Sequence, residues 1–225
     1  MPKWAKAICA LFLLPACWGT TRLVPEVARA AGDSMNVWVP MASGAGCWIV
    51  FVLFLPKQVW LYVLGHELTH VVWSWLFGGK VKRFSINRDG GFVVVTRSNF
   101  LVALAPYFFP LYAVFIVLIF GTFHRLYPLA SLVPVFHLLL GAAYAFHVTW
   151  TWEILRTEQS DIRGQGVFFS GVVIWLGNLI VLIAGISLLS GRPPLLRLLR
   201  DLSGYVLREY VNVWAFVAQL LRGSA

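Results

Sequence analysis

Acidic side chains are scarce in this chain, which has 225 residues but only nine Asp and Glu. Charged residues of both signs make up 12% of the sequence, against roughly a quarter in an ordinary soluble domain. Hydrophobic residues make up 60%, and the mean hydropathy is +0.79. These values exclude an ordinary soluble globular domain. We therefore expect an integral membrane protein with very few candidates for a catalytic carboxylate.

Cysteine is also scarce, and the charge that is present is mostly positive. Cys9, Cys17 and Cys47 lie in apolar stretches without CxxC spacing, which argues against a disulfide framework or a cysteine zinc site. The net charge of +9 could indicate nucleic acid binding, but the basic residues flank apolar runs and no stacking platform accompanies them. Anionic lipid headgroups are the partner that this pattern favours.

Long apolar runs are abundant, and each has about the length needed to cross a hydrocarbon core of about 30 Å. They cover residues 37–55, 59–77, 100–121, 129–152 and 167–190. In the first of these runs, Ser43, Gly44 and Gly46 would permit close helix packing. Residues 7–18 form either a further short helix with a kink at Pro15 or a signal-like segment. The sequence thus predicts five to six transmembrane helices.

Two further elements are predicted outside these spans. Residues 81–86 and 92–96 resemble strands on either side of Asp89-Gly90-Gly91, which indicates a small β-hairpin at the membrane surface. From residue 195 onward, an apolar stripe faces a polar one, as in an amphipathic helix that lies in the membrane interface. The alternative is a soluble tail helix that packs on a neighbouring loop.

The predicted fold class is therefore an all-α polytopic integral membrane protein with a small β-hairpin and a C-terminal amphipathic interfacial helix. We divide it into an N-terminal hydrophobic segment and loop, transmembrane or signal-like, at residues 1–36. A membrane-embedded core follows at 37–190, and the amphipathic helix occupies 191–225.

The apolar run 59–77 contains the string His66-Glu67-Leu68-Thr69-His70. Residues four apart share one face of a helix, so both imidazoles can bind a single metal ion, with Glu67 beside them. A carboxylate near the middle of a bilayer costs about 2.5–3.5 kcal/mol, which favours a chemical role. The HExxH pattern on a helix is typical of zinc hydrolases. The alternative is a polar patch that joins two helices.

A catalytic zinc usually has three protein ligands, so one more donor is needed. Asp161 is the first candidate, because two further membrane crossings return the chain to the side on which His70 lies. Otherwise Asp161 would be a loop residue or a helix N-cap, and Glu153 would be the substitute ligand. His137 and His147 lie ten residues apart on one span. They are expected to make interhelical hydrogen bonds, and His147 could also support the site from outside the ligand set.

Residues 45–190 resemble the site-2 protease, or M50-type, intramembrane zinc metalloproteases. The string HELTH is similar to their HExxH motif, residues 77–81 and 90–93 are similar to the glycine-containing hairpin that follows it, and Leu104-Ala105-Pro106 is weakly similar to their AGP motif. Thr69 stands where this family has glycine, and Ile162 stands where glycine follows the ligand aspartate.

The resemblance implies that His66, His70 and Asp161 bind Zn²⁺. It also implies that Glu67 acts as general base and then general acid on zinc-bound water. Asp161 lies in the place of the downstream aspartate that completes the zinc site in this family.

The resemblance also implies substrates and a location. The expected substrates are membrane proteins with a single-pass helix that unwinds locally before cleavage, held by strand addition to the hairpin. The expected location is the cell membrane, with the hairpin segment 78–99 on the cytoplasmic side; the Lys and Arg counts favour that side only if the first segment does not cross. An intramembrane metal or proton transporter and an inactive zinc-binding pseudoprotease scaffold remain alternatives.

Overall fold

The structure is a computed structural model that describes residues 2–55, 59–87 and 90–223. The longer elements are α1 (Lys3–Ala31), α2 (Met35–Phe54), α3 (Val59–Leu76), β1 (Val81–Asn87), β2 (Gly90–Val95), α4 (Phe100–Leu104), α5 (Leu111–Leu126), α6 (Val133–Leu155), α7 (Ser160–Gln165), α8 (Val167–Ser190) and α9 (Leu195–Gly223). Short 3₁₀ turns occupy Ala105–Tyr107 and Ala130–Leu132. The predicted all-α fold with one small hairpin is confirmed.

Apolar helices dominate the described part of the chain. Within it, four helical segments are long and apolar enough to cross a membrane: α1, α2, α6 with its preceding turn, and α8. A fifth span results if the bent pair at residues 100–126 counts as one. Helix α3 is not among them, and we attribute this to the polar motif that it carries. The prediction of a polytopic membrane protein is confirmed.

The predicted uninterrupted span at 100–121 is wrong, because the chain bends there. Phe100–Tyr107 and Leu111–Leu126 meet at 84°. Pro106 and Pro110 lie in this region, and proline has no amide hydrogen with which to continue a helical ladder. The short helix α4 and the turn that follows it pack against α3 on one side of this bend.

The fold divides into two compact units, residues 1–34 with 164–225 and residues 35–163. The second unit holds every residue of the candidate site. Its core includes Tyr62, Phe146 and Trp150, which pack together and join α3 to α6. The predicted domain boundaries at 36 and 190 stay a prediction.

The first unit contains the amphipathic C-terminal helix. Helix α9 packs against α1, where Leu198 is buried with Leu23 and Val27. An ion pair of 2.7 Å joins Arg22 and Glu209. The outer face of α9 exposes apolar side chains, as an interfacial helix would, and its placement at the membrane surface stays a prediction.

The hairpin packs directly on the motif helix. Strands β1 and β2 are antiparallel, with Val81 opposite Val95 and Asn87 opposite Gly90. A Cβ atom at Gly91 would lie 2.7 Å from a methyl carbon of Val63, so only glycine permits this close approach. Of the predicted turn, Asp89 lies outside the described residues, as does Pro56, which was predicted to end the preceding span.

Close backbone contact also joins α2 to α6. A Cβ atom at Gly44 would lie 1.8 Å from the carbonyl oxygen of Leu138, and one at Gly141 would lie 2.0 Å from that of Met41. The predicted role of Gly44 in close packing is therefore confirmed. At Gly46, by contrast, an added Cβ would meet nothing within 4 Å among the described residues.

These two glycines of α2 make a matched test of the contact. We expect Gly44→Ala to lower the free energy of unfolding by about 1–3 kcal/mol, because the α6 backbone cannot yield to the new methyl group. Gly46→Ala should change it by less than about 1 kcal/mol, and in the stabilising direction, because alanine favours a helix. Thermal unfolding in detergent measures both, and equal midpoints would contradict the packing described.

Candidate metal centre

Helix α3 and helix α7 bring three donor side chains together. The rings of His66 and His70 have centroids 4.9 Å apart on one face of α3. Nε2 of His66 lies 3.4 Å from Oδ2 of Asp161, and Nε2 of His70 lies 3.5 Å from the same oxygen. One ligand atom from each residue can be chosen so that all three lie within 4.8 Å of one another. The structure thus brings together the three residues predicted as ligands.

Asp161 lies in the first turn of α7. Burial alone would raise the pKa of its carboxyl group, but hydrogen bonds with His66 and His70 hold that pKa below its usual range. The side chain is therefore an anionic carboxylate at neutral pH. Glu153, the substitute ligand considered from the sequence, lies near the end of α6 and is not part of this cluster in the described residues.

Each of the three donors has a neighbour that fixes its orientation. Nδ1 of His70 lies 2.8 Å from the carbonyl oxygen of Val102, and Nδ1 of His66 lies 3.0 Å from the hydroxyl of Tyr62. In both rings Nε2 is the nitrogen that faces Asp161. Such outer contacts select the tautomer and ring orientation of a metal-binding histidine.

The third orienting contact comes from Tyr107, whose hydroxyl donates to Oδ2 of Asp161 at 3.1 Å. Tyr107 is fully buried in the turn after α4. The side chain of Asn99 caps α4 by accepting from the backbone N–H of Val102 at 2.9 Å. This cap fixes the start of the short helix whose Val102 carbonyl holds His70.

Sequence reasoning missed these orienting residues. Tyr62 lies four residues before His66, so helical spacing was a signal that could have identified it. Val102 and Tyr107 reach the site only because of the bend between α4 and α5, which the hydropathy of that segment does not reveal.

Glu67 is buried between the cluster and the hairpin. It is only 9% exposed, and it lies against β2 of the hairpin. A Cβ atom at Gly91 would lie 3.1 Å from Cγ of Glu67. The hairpin therefore covers this carboxylate.

The two histidines of α6 differ in their surroundings. His147 lines a small cavity beside His66, together with Gly65 and Thr69. His137 packs instead against the ring of Phe136 and does not line that cavity. The interpretation that His147 could support the site is therefore compatible with its position, whereas His137 lies elsewhere.

The donor set fits a zinc ion. Two imidazole nitrogens and one carboxylate oxygen are a ligand combination of catalytic zinc sites, which keep a fourth position for water or substrate. Ligand atoms about 2.0–2.1 Å from a tetrahedral zinc lie about 3.3–3.4 Å apart. The separations of 3.4 and 3.5 Å found here are close to that value.

Comparison with known proteins gives one family. The family model described as Peptidase M50B-like matches residues 42–156, which is just over half of the chain. No curated protein and no solved structure matches. The matched region includes HELTH and ends before Asp161, so the assignment of Asp161 depends on the geometry above. The chain therefore belongs to the Peptidase M50B-like family and is, in general terms, a membrane metallopeptidase.

Proposed function

We propose that this protein is a zinc metalloprotease that hydrolyses peptide bonds in or near transmembrane segments of membrane proteins. One observation carries the proposal. His66, His70 and Asp161 form a compact donor cluster with Glu67 beside it, on a helix of a polytopic membrane protein that belongs to a peptidase family. A structural polar patch would not need three convergent ligand atoms.

His66, His70 and Asp161 would hold the ion. When bound, zinc supplies a Lewis acid that brings the pKa of water to about 7 and polarises a peptide carbonyl. Glu67 accepts a proton from the attacking water as its oxygen bonds to the carbonyl carbon. As the C–N bond breaks, Glu67 returns that proton to the leaving amine. The hydroxyl group of the water is thereby added to the new carboxyl end, and its proton is added to the new amino end.

The surroundings of Glu67 suit this exchange of a proton. Packing against β2 restricts its side chain, which is only 9% exposed, and its place in the sequence puts it on the flank of the metal-binding face. A fixed base within reach of the reacting water is what general base catalysis requires.

The substrate must present an extended segment. A helix in lipid satisfies all its amides internally, so it must unwind locally before a peptide bond can be attacked. We therefore expect single-pass substrates with helix-weakening residues near the cleaved bond.

The outer edge of β2 is suited to hold such a segment. The backbone N–H of Thr96 donates across the hairpin to the carbonyl oxygen of Lys80 at 2.9 Å. Because backbone groups alternate along an antiparallel strand, the N–H groups of Val93 and Val95 face away from β1, on a strand that lies against Glu67. An extended substrate that pairs with this edge would pass the general base.

We also propose a location in the cell membrane with segment 78–99 on the cytoplasmic side. The resemblance to the site-2 proteases supports this side. Lys80, Lys82, Arg83 and Arg97 lie there, but the Lys and Arg counts of the whole chain favour it only if the first helix does not cross. A metal or proton transporter would spread ionisable groups along several helices, whereas the described ligand cluster is confined to one place.

Zinc content and cleavage together test the proposal. We expect about one zinc per purified chain, retained in Glu67→Gln and in the control Glu153→Gln, and lost or weakened in His66→Ala, His70→Ala and Asp161→Ala. Cleavage of a single-pass substrate should fall by at least about 10²-fold in Glu67→Gln, because the general base is removed. Glu153→Gln should cleave normally.

The other results separate the alternatives. Wild-type protein without bound zinc, or Glu67→Gln that cleaves normally, would refute the protease mechanism. Zinc binding without cleavage of any membrane substrate would favour the pseudoprotease scaffold. Metal or proton flux through reconstituted vesicles would favour the transporter.

The substrate-holding role of β2 has its own matched pair of variants. Val95→Pro removes an N–H that faces away from β1, whereas Val95→Ala removes side-chain atoms and keeps that N–H. We expect turnover to fall by about tenfold or more in Val95→Pro, the equivalent of about 1.4 kcal/mol, and to change little in Val95→Ala. Zinc content should stay the same in both. Equal turnover in the two variants would rule out strand addition at this edge.

A further inference from the structure

A small cavity lies beside the metal-binding face of α3, and His66 of that face is one of the residues that line it. It has a volume of about 20 Å³ and lies between α3, α5 and α6, which is enough for one water molecule. His147 lines it from α6, and the side chain is nine-tenths buried. Nε2 of His147 has no hydrogen-bond partner among the described residues. A buried imidazole nitrogen normally has a partner, because leaving it without one costs free energy.

Two other groups that line the cavity can only accept a hydrogen bond. Thr69 donates its hydroxyl hydrogen to the carbonyl oxygen of Gly65 at 2.7 Å. Tyr112 donates its own to the carbonyl oxygen of Leu61 at 2.6 Å. Each hydroxyl has one hydrogen to give, so the oxygen of each can only accept a further hydrogen bond.

The pair formed by Tyr62 and His66 completes the wall. If Nε2 of His66 binds a metal, its remaining hydrogen is on Nδ1 and is donated to the Tyr62 oxygen, 3.0 Å away. The hydroxyl hydrogen of Tyr62 then needs an acceptor. The acceptors around the cavity are a threonine oxygen, a tyrosine oxygen and an imidazole nitrogen.

We infer that this cavity holds one ordered water, which accepts from Tyr62 and donates to His147 and to one of the two hydroxyl oxygens, Thr69 or Tyr112. The water thereby links His147 to His66 through Tyr62 and makes His147 a positioning residue for the first metal ligand. This inference rests on the zinc site proposed above. Thr69 stands where the similar family has glycine, which has no hydroxyl and could not accept from this water.

The experiment measures the zinc dissociation constant by competition with a chelator. We expect Tyr62→Phe and His147→Leu each to weaken zinc binding by about 10–100-fold, the usual effect of losing an outer partner of a ligand. The double variant should bind zinc as tightly as the single variant that has the lower affinity, because both residues act through one hydrogen-bonded chain. His147→Gln retains an acceptor and should bind zinc nearly as wild type does.

His137→Leu is the matched control, because it removes a buried imidazole from the same helix away from the cavity. It should leave the dissociation constant unchanged.

Thr69→Val keeps the shape of the cavity wall and removes one acceptor, so it should also weaken zinc binding. It takes the place of His147→Leu in the experiment if that variant does not fold. At saturating zinc, His147→Leu should regain most of its cleavage activity, because its role is to position His66.

Three results would overturn the water link: wild-type affinity in both His147→Leu and Thr69→Val, losses that multiply in the double variant, or an equal loss in His137→Leu. These results are distinct from failure of the protease proposal itself. In that case the wild-type protein would bind no zinc, or would bind it without Glu67-dependent cleavage.

Discussion

The structure around the motif depends on one constraint: polar groups placed in an apolar helix must find partners inside the protein. A buried donor or acceptor without a partner costs about 1–3 kcal/mol. His70 meets this requirement with the carbonyl of Val102, and His66 meets it with Tyr62. The bend at residues 105–110 supplies the first of these partners, and an irregular segment at membrane depth is tolerated where protein buries it.

Charge imposes a second requirement on the same helix. A divalent cation bound by two neutral imidazoles needs negative charge nearby, because the low dielectric of the interior raises the free-energy cost of an uncompensated charge. Asp161 would supply one carboxylate to such an ion, and Glu67 would place another on the next residue after His66. Only nine acidic residues occur in the whole chain, and two of them are at this one point. That concentration is difficult to explain by packing alone.

Hydropathy and helical spacing predicted much of this architecture, because both depend on local sequence. The span 167–190 has the same bounds as α8, and the hairpin strands agree within one or two residues. The pairing of His66 with His70 follows from spacing, and the approach of Asp161 follows from counting membrane crossings. The bend before α5 has a local signal in Pro106 and Pro110, which the hydropathy of that segment does not register. The different surroundings of His137 and His147 were not predictable, because they depend on contacts between distant segments, which leave no periodic pattern in the chain.

Neighbouring residues of α3 face different parts of the structure, because successive residues on a helix point about 100° apart. His66 and His70 face Asp161, while Glu67 faces the hairpin. Two elements, α5 and β2, approach α3 closely, and each approach depends on a glycine. A Cβ atom at Gly65 would lie 2.7 Å from the ring of Tyr112, and one at Gly91 would lie 2.7 Å from Val63. Absent side chains at these two points let α5 and β2 reach the motif helix, so the site is shaped by glycines as well as by its ligands.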